Sequence, residues 1–150
     1  MTPLNLIEVL AEDIQKEVAN YKFIAQYQED KFVRVYAQDI PTAEFKSDTY
    51  YPFVLIQLLN VEDDVTDSVA SVLFTIGTYN GEERRDGWRD HLNLCETIRQ
   101  YILKNEVVGK LYVLQLPLFW GEVEKQSEDF SYANFFVQYR VPRPSTNYCQ

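Results

Sequence analysis

At 150 residues, with 46% hydrophobic and 25% charged residues and only 5 Gly and 6 Pro, the chain has the size and composition of one globular domain. Its 14 Lys and Arg stand against 23 Asp and Glu, a net charge of −9, which argues against affinity driven by contacts to nucleic-acid phosphates or anionic lipid. Cys95 and Cys149 lie too far apart in sequence for a disulfide framework or metal-ligand spacing, and no apolar run reaches membrane-span length, so a cytosolic protein with free thiols is expected.

Ile7, Leu10, Ile14, Val18, Tyr21 and Ala25 fall in steps of three and four, which predicts an amphipathic helix from Leu4 to about Gln28, capped by Thr2 or Asn5. Lys31 to Tyr36 alternates β-branched and aromatic residues and reads as a short strand, followed by a loop from Ala37 to Thr49. Tyr50 to Leu59 is a nearly unbroken apolar run, expected as a central strand covered on both faces. The acidic stretch bearing Glu62, Asp63, Asp64 and Asp67 then forms the tip of a hairpin. Its second strand is Val69 to Tyr79, where Val72, Phe74 and Ile76 alternate with Ser71, Leu73 and Thr75.

Asn80–Gly81 is a turn pair, and Gly81 to Gly87 encloses Glu82, Glu83, Arg84 and Arg85 in a polar loop. A second helix, capped by Asp86, carries Trp88, Leu92, Cys95, Ile98 and Ile102 on one face and ends near Lys104–Asn105. Leu111 to Val123 is the next strand, with Pro117 marking an edge or a bulge. In the last strand, Tyr132 to Val141, Phe135, Val137 and Tyr139 alternate with Asn134, Phe136 and Gln138. The expected fold is a single α+β domain of order α-β-β-β-α-β-β, a mainly antiparallel five-stranded sheet with two helices packed on one face.

Little chemistry is visible along the chain. His91 is the sole histidine, which sets aside catalytic triads and two-histidine metal sites, and it reads as a half-exposed helix residue. The carboxylates at the hairpin tip lack the glycine and the closing glutamate of a calcium loop and read as a solvated turn. No phosphate-binding glycine motif, nucleophile elbow or zinc-protease motif occurs. Neither catalytic residues, a metal nor a cofactor is therefore expected. Two helices cover only one face of such a sheet, and the 11 Tyr, 9 Phe and 2 Trp suggest that the other face meets a partner.

Three stretches carry a resemblance: Tyr51 to Leu58; Phe74 to Tyr79 leading through the polar loop into Gly87 to Leu94; and Leu114 to Trp120. In order and spacing they resemble the tail terminator (tail completion) proteins of long-tailed bacteriophages and prophages. The resemblance implies a structural virion protein, not an enzyme, that forms a homo-oligomeric ring, usually a hexamer, on the tail tube. Such a ring stops tube polymerisation and offers a surface to the head. The implied partners are the tail tube protein and a head-completion or connector protein, with genomic DNA as a weakly contacted passing polymer and no membrane. The implied location is the host cytoplasm during assembly and then the virion tail. Glu62, Asp63, Asp64, Asp67, Glu82, Glu83, Arg84 and Arg85 are the candidate lumen or partner-contact residues. Another neck component and an acidic DNA-mimic inhibitor are the alternatives.

Overall fold

Thr2 starts the first helix: its backbone is extended, its hydroxyl accepts from the Asn5 amide at 3.2 Å, and Pro3 follows where no helical donor is lost. The computed structural model describes residues 2–19, 22–24, 30–42, 51–79, 87–123 and 130–143. Helix α1 spans Pro3–Val18 and buries Leu6, Ile7, Leu10, Ile14 and Val18. The helix ends ten residues short of the expected Gln28, and Tyr21 and residues 25–28 lie outside the described residues. Ala19 closes the helix, and β1 (Lys22–Ile24) pairs antiparallel with β2 (Asp30–Phe32) in a separate two-stranded sheet. Aromatic and β-branched residues such as Phe23 and Ile24 suit a pleated strand better than a sixth helical turn.

The main sheet has six strands: β3 (Arg34–Ala37), β4 (Phe53–Asp63), β5 (Ser68–Tyr79), β6 (Val107–Val108), β7 (Tyr112–Glu122) and β8 (Phe130–Val141). Their order is β3-β4-β5-β8-β7-β6, and α2 spans Gly87–Lys104 between β5 and β6. The α+β class is as expected, and the pairing is mainly antiparallel, but the five-stranded sheet is corrected to a six-stranded mixed sheet in which β3 and β4 run parallel. The expected strand at Lys31 to Tyr36 divides at Val33, and only Arg34–Ala37 joins the main sheet, parallel to β4. The connection from Gln38 to Pro52 has room for the crossover of a dozen or so residues that parallel neighbours need. The additional strand, β6, turns into β7 through Gly109 and Lys110, both at positive φ (58° and 64°), with the Leu111 amide donating to the Val108 carbonyl at 3.2 Å. Positive φ at both central residues is the type I′ pattern, and Gly109 adopts it without a Cβ penalty.

The exposed side of β3 is capped from above. The Gln15 side chain on α1 donates to the Val33 carbonyl at 2.9 Å and accepts from the Val35 amide at 3.0 Å, imitating one more strand. On one face of the sheet Val54, Ile56, Ala70, Val72, Phe74, Ile76, Phe135, Val137 and Tyr139 form a single buried cluster with the α1 stripe and with Leu94, Ile98 and Ile102 of α2. Each fully buried Leu or Ile contributes about 1.5–3 kcal/mol. Tyrosines tie the layers together: the Tyr112 hydroxyl donates to the Thr2 carbonyl and accepts from Asn5, and Tyr101 donates to Asp13.

The opposite face is covered at one end, where Tyr51, Phe53 and Tyr79 cluster with Phe130 and Tyr132, and the Tyr51 and Tyr132 hydroxyls are hydrogen-bonded. Much of the aromatic content is thus taken up within the chain's own fold. Among the described residues, no helix covers the rest of this face. Pro117 marks a bulge, as expected: Gln115 pairs with Gln138 and Phe119 with Phe136, so β7 carries extra residues between these pairs. Across the open face runs the register row Gln57, Leu73, Phe136, Phe119.

Candidate functional site

The acidic residues named from the sequence divide into two sets. Glu62 and Asp63 end β4, and Asp64 and Asp67 form the turn into β5, where the Asp64 amide donates to the Asp67 carbonyl at 2.7 Å. The turn is held rather than free. Asp63 accepts from the Ser68 hydroxyl at 2.5 Å, Asp67 lies 3.4 Å from Arg140, and Arg143 donates to the carbonyls of Asp64 and Val65. Glu82, Glu83, Arg84 and Arg85 lie outside the described residues.

A second cluster escaped the sequence reading. His91, expected to be half exposed, is buried at the interface of α2 with the sheet. Its Nδ1 lies 2.9 Å from the Thr78 hydroxyl on β5, and its Nε2 lies 3.0 Å from the Glu122 carboxylate on β7. One helical turn later the buried Cys95 places its Sγ 3.9 Å from the same Nε2. To join Thr78 to Glu122 the imidazole spans β8, whose residues facing the helix there are Ser131, paired with Thr78, and Ala133, paired with Glu122. Both are small. Desolvation holds His91 below its ordinary pKa of 6.5, with Glu122 opposing, so the ring is neutral at pH 7. Burial first, and the Glu122 charge second, push the Cys95 thiol up to about 12.

The order hydroxyl, imidazole, carboxylate has the outline of a catalytic triad, but its polarity is reversed. The Thr78 hydroxyl is buried under the helix, whereas the Glu122 side chain is 46% exposed. A triad needs the nucleophile at the substrate and the acid behind it. A thiol near 12 is likewise no nucleophile at neutral pH. The arrangement can fix α2 on the sheet, and its three donors, all within 4.8 Å of one another, have the types that could hold a metal ion. The one sequence signal was the four-residue step from His91 to Cys95. A cavity of about 310 Å³ lined by Glu17, Thr97, Gln100, Tyr101, Lys104 and Asn105 does not include these groups.

The open sheet face is the other feature of note. Phe119 is 70% exposed and Phe136, its register partner, 48%, an unusual pair of large apolar side chains on one surface, and Leu116 in the bulge is 64% exposed. Beyond Leu58, β4 has no strand on its outer side among the described residues, and Leu59 and Val61 are exposed along that edge. No helix among the described residues is long and apolar enough to cross a membrane. No protein-family model matches the chain, and no curated protein matches it.

Proposed function

We propose that the chain is a structural subunit that assembles with copies of itself into a ring, serving a phage tail as do the terminator proteins that its sequence resembles. In that role the ring caps the tail tube, stops its polymerisation and presents a surface to the head. The observation that carries this reading is the apolar row on the uncovered sheet face, where Phe119 and Phe136 stand in register beside Leu73. A ring requires two different surfaces on each subunit, one meeting the other on its neighbour. The open face is one. The unpaired edge of β4, with Leu59 and Val61 exposed, is suited to be the second. The carboxylates at the β4–β5 turn then rim the assembly, and their charge keeps passing DNA from adhering.

Light scattering after size exclusion, with negative-stain imaging, tests the reading on the wild type and on Phe119→Asp. Loss of one buried Phe weakens a contact by about 1.5–3 kcal/mol, roughly ten- to a hundredfold. The expected result is a closed multimer of the 17.7 kDa chain that Phe119→Asp dissociates without changing its circular dichroism. A wild type that stays monomeric at its highest soluble concentration, and also on purified tail tubes, overturns it.

A further inference from the structure

We propose that His91, Cys95 and Glu122 bind a borderline-soft divalent transition cation, Zn²⁺ by the chemistry of the donors, through the imidazole Nε2, the sulfur and a carboxylate oxygen. The site is independent of the self-assembly proposed above. His91 and Cys95 stand four residues apart on α2 and so share one helical face, and β7 brings Glu122 up from the sheet.

The spacing suits a tetrahedral ion. With a metal–nitrogen distance of ~2.0 Å and a metal–sulfur distance of ~2.3 Å, nitrogen and sulfur stand about 3.6 Å apart, and nitrogen and oxygen about 3.3 Å. Here those pairs are 3.9 Å and 3.0 Å and all three donors lie within 4.8 Å of one another, so a rotation of the half-exposed Glu122 side chain has to close the sulfur–oxygen pair to the ~3.5 Å of a tetrahedral ion. Thr78 supplies the orienting contact. When Nδ1–H donates to its hydroxyl, the Nε2 lone pair points to the carboxylate and the thiol, and a ligating histidine usually has such a partner on its other nitrogen. Thiolate and imidazole select zinc-like ions over Ca²⁺ and Mg²⁺, which prefer oxygen donors. Three protein ligands leave the fourth position to water, and the half-exposed Glu122 marks the side from which ion and water enter.

A buried histidine hydrogen-bonded to Thr78 and Glu122 accounts for two of these contacts. It gives no reason for a thiol at the same nitrogen, beside a carboxylate that disfavours its ionisation. A cation reverses that disfavour: the Cys95 S–H proton leaves to solvent, a sulfur–metal bond forms, and α2 becomes tied to β7.

The test is titration of the full-length Cys149→Ser chain with Co²⁺, so that any thiolate signal comes from Cys95. One Co²⁺ per chain is expected, with a thiolate-to-cobalt charge-transfer band and the intense visible bands of tetrahedral cobalt, all displaced by Zn²⁺. Cys95→Ser is expected to abolish the charge-transfer band, Glu122→Gln to weaken binding about tenfold or more, and Thr78→Val to weaken it about 10- to 100-fold. If Cys95→Ser does not fold, Glu122→Gln, altered at a half-exposed position, decides the matter. No charge-transfer band in the folded chain, a band that survives Cys95→Ser, or affinity unchanged in Glu122→Gln overturns the proposal.

Discussion

Gly77 allows a stringent check on how the aromatic end of the sheet is packed. It pairs with Phe53 across β4 and β5, and a Cβ placed on it would lie 2.2 Å from Cε1 of the Phe53 ring, 2.7 Å from Cζ and 3.0 Å from Cδ1. Ordinary carbon contacts are about 3.5–4.0 Å, so Gly77→Ala must drive the ring back by roughly 1.3 Å. The ring has little room to retreat. It is buried, and Tyr51 meets it edge to face with centroids 5.1 Å apart. Overpacking of this kind costs about 1–3 kcal/mol, offset by about 0.5–1 kcal/mol because alanine is less disordered than glycine in the unfolded chain. The expected net loss is on the order of 1–2 kcal/mol, or roughly 2–8 °C in Tm at about 2–4 °C per kcal/mol. Urea unfolding should show a lower midpoint with an unchanged slope. Gly121→Ala is the control, because nothing lies within 4 Å of its added Cβ and it should be neutral or slightly stabilising. Adding Phe53→Leu to Gly77→Ala should recover part of the loss as a positive coupling. A Gly77→Ala protein as stable as the wild type, with Gly121→Ala no better, would refute the packing argument.

Three further changes probe the rest of the fold. The buried Tyr139 hydroxyl has no hydrogen-bond partner among the described residues, so Tyr139→Phe should leave the Tm unchanged or raise stability by up to about 1 kcal/mol; a clear drop would mean that the hydroxyl is satisfied. Gln15→Ala strips both hydrogen bonds from the β3 edge and should cost about 1–3 kcal/mol in thermal unfolding, with faster amide exchange at Val35; exchange as slow as in the wild type would contradict the capping role. With chelator present, His91 contributes no pH dependence above its unfolded pKa of 6.5, where it is neutral in both states. As pH falls below that value the unfolded chain takes up the proton first and stability drops until the folded ring protonates too. Urea midpoints at about pH 7.5 and about pH 5.5 should therefore diverge more in the wild type than in His91→Gln, and equal divergence would show that His91 is not held neutral.

Where one face of a strand meets a core and the other does not, the residues announce it. Val72, Phe74 and Ile76 on β5 and Phe135, Val137 and Tyr139 on β8 alternate as expected, and all are buried beneath the helices. Pairing direction has no such local signature. Arg34–Ala37 reads as a strand whether its neighbour runs with it or against it, and the length of the Gln38 to Pro52 connection permits a parallel neighbour without demanding one. The first helix stops at Val18, short of the end its spacing implies, for a related reason. Three- and four-residue spacing alone places Tyr21 and Ala25 on the stripe of Val18, but it carries no information about the competing β1–β2 pairing, which draws on Asp30–Phe32.

The same limit hid the cluster at His91. Helical spacing puts His91 and Cys95 on one face, yet nothing in the sequence says which strands pass beneath that face. Thr78 and Glu122 reach the imidazole from β5 and β7, strands brought to either side of β8 only by the sheet order. The feature that makes the span possible is the smallness of Ser131 and Ala133, which looks like ordinary strand filling until the register is known. Polar groups this deep have to be satisfied, and a neutral imidazole has one donor and one acceptor to offer. Thr78 can take either role, whereas an ionised Glu122 can only accept, so without an ion the proton must sit on Nε2 and with an ion it must sit on Nδ1. The threonine hydroxyl is the group that permits both states. Valine at this position keeps the volume but removes the partner of Nδ1, which is why Thr78→Val is expected to lower metal affinity from beyond coordination distance.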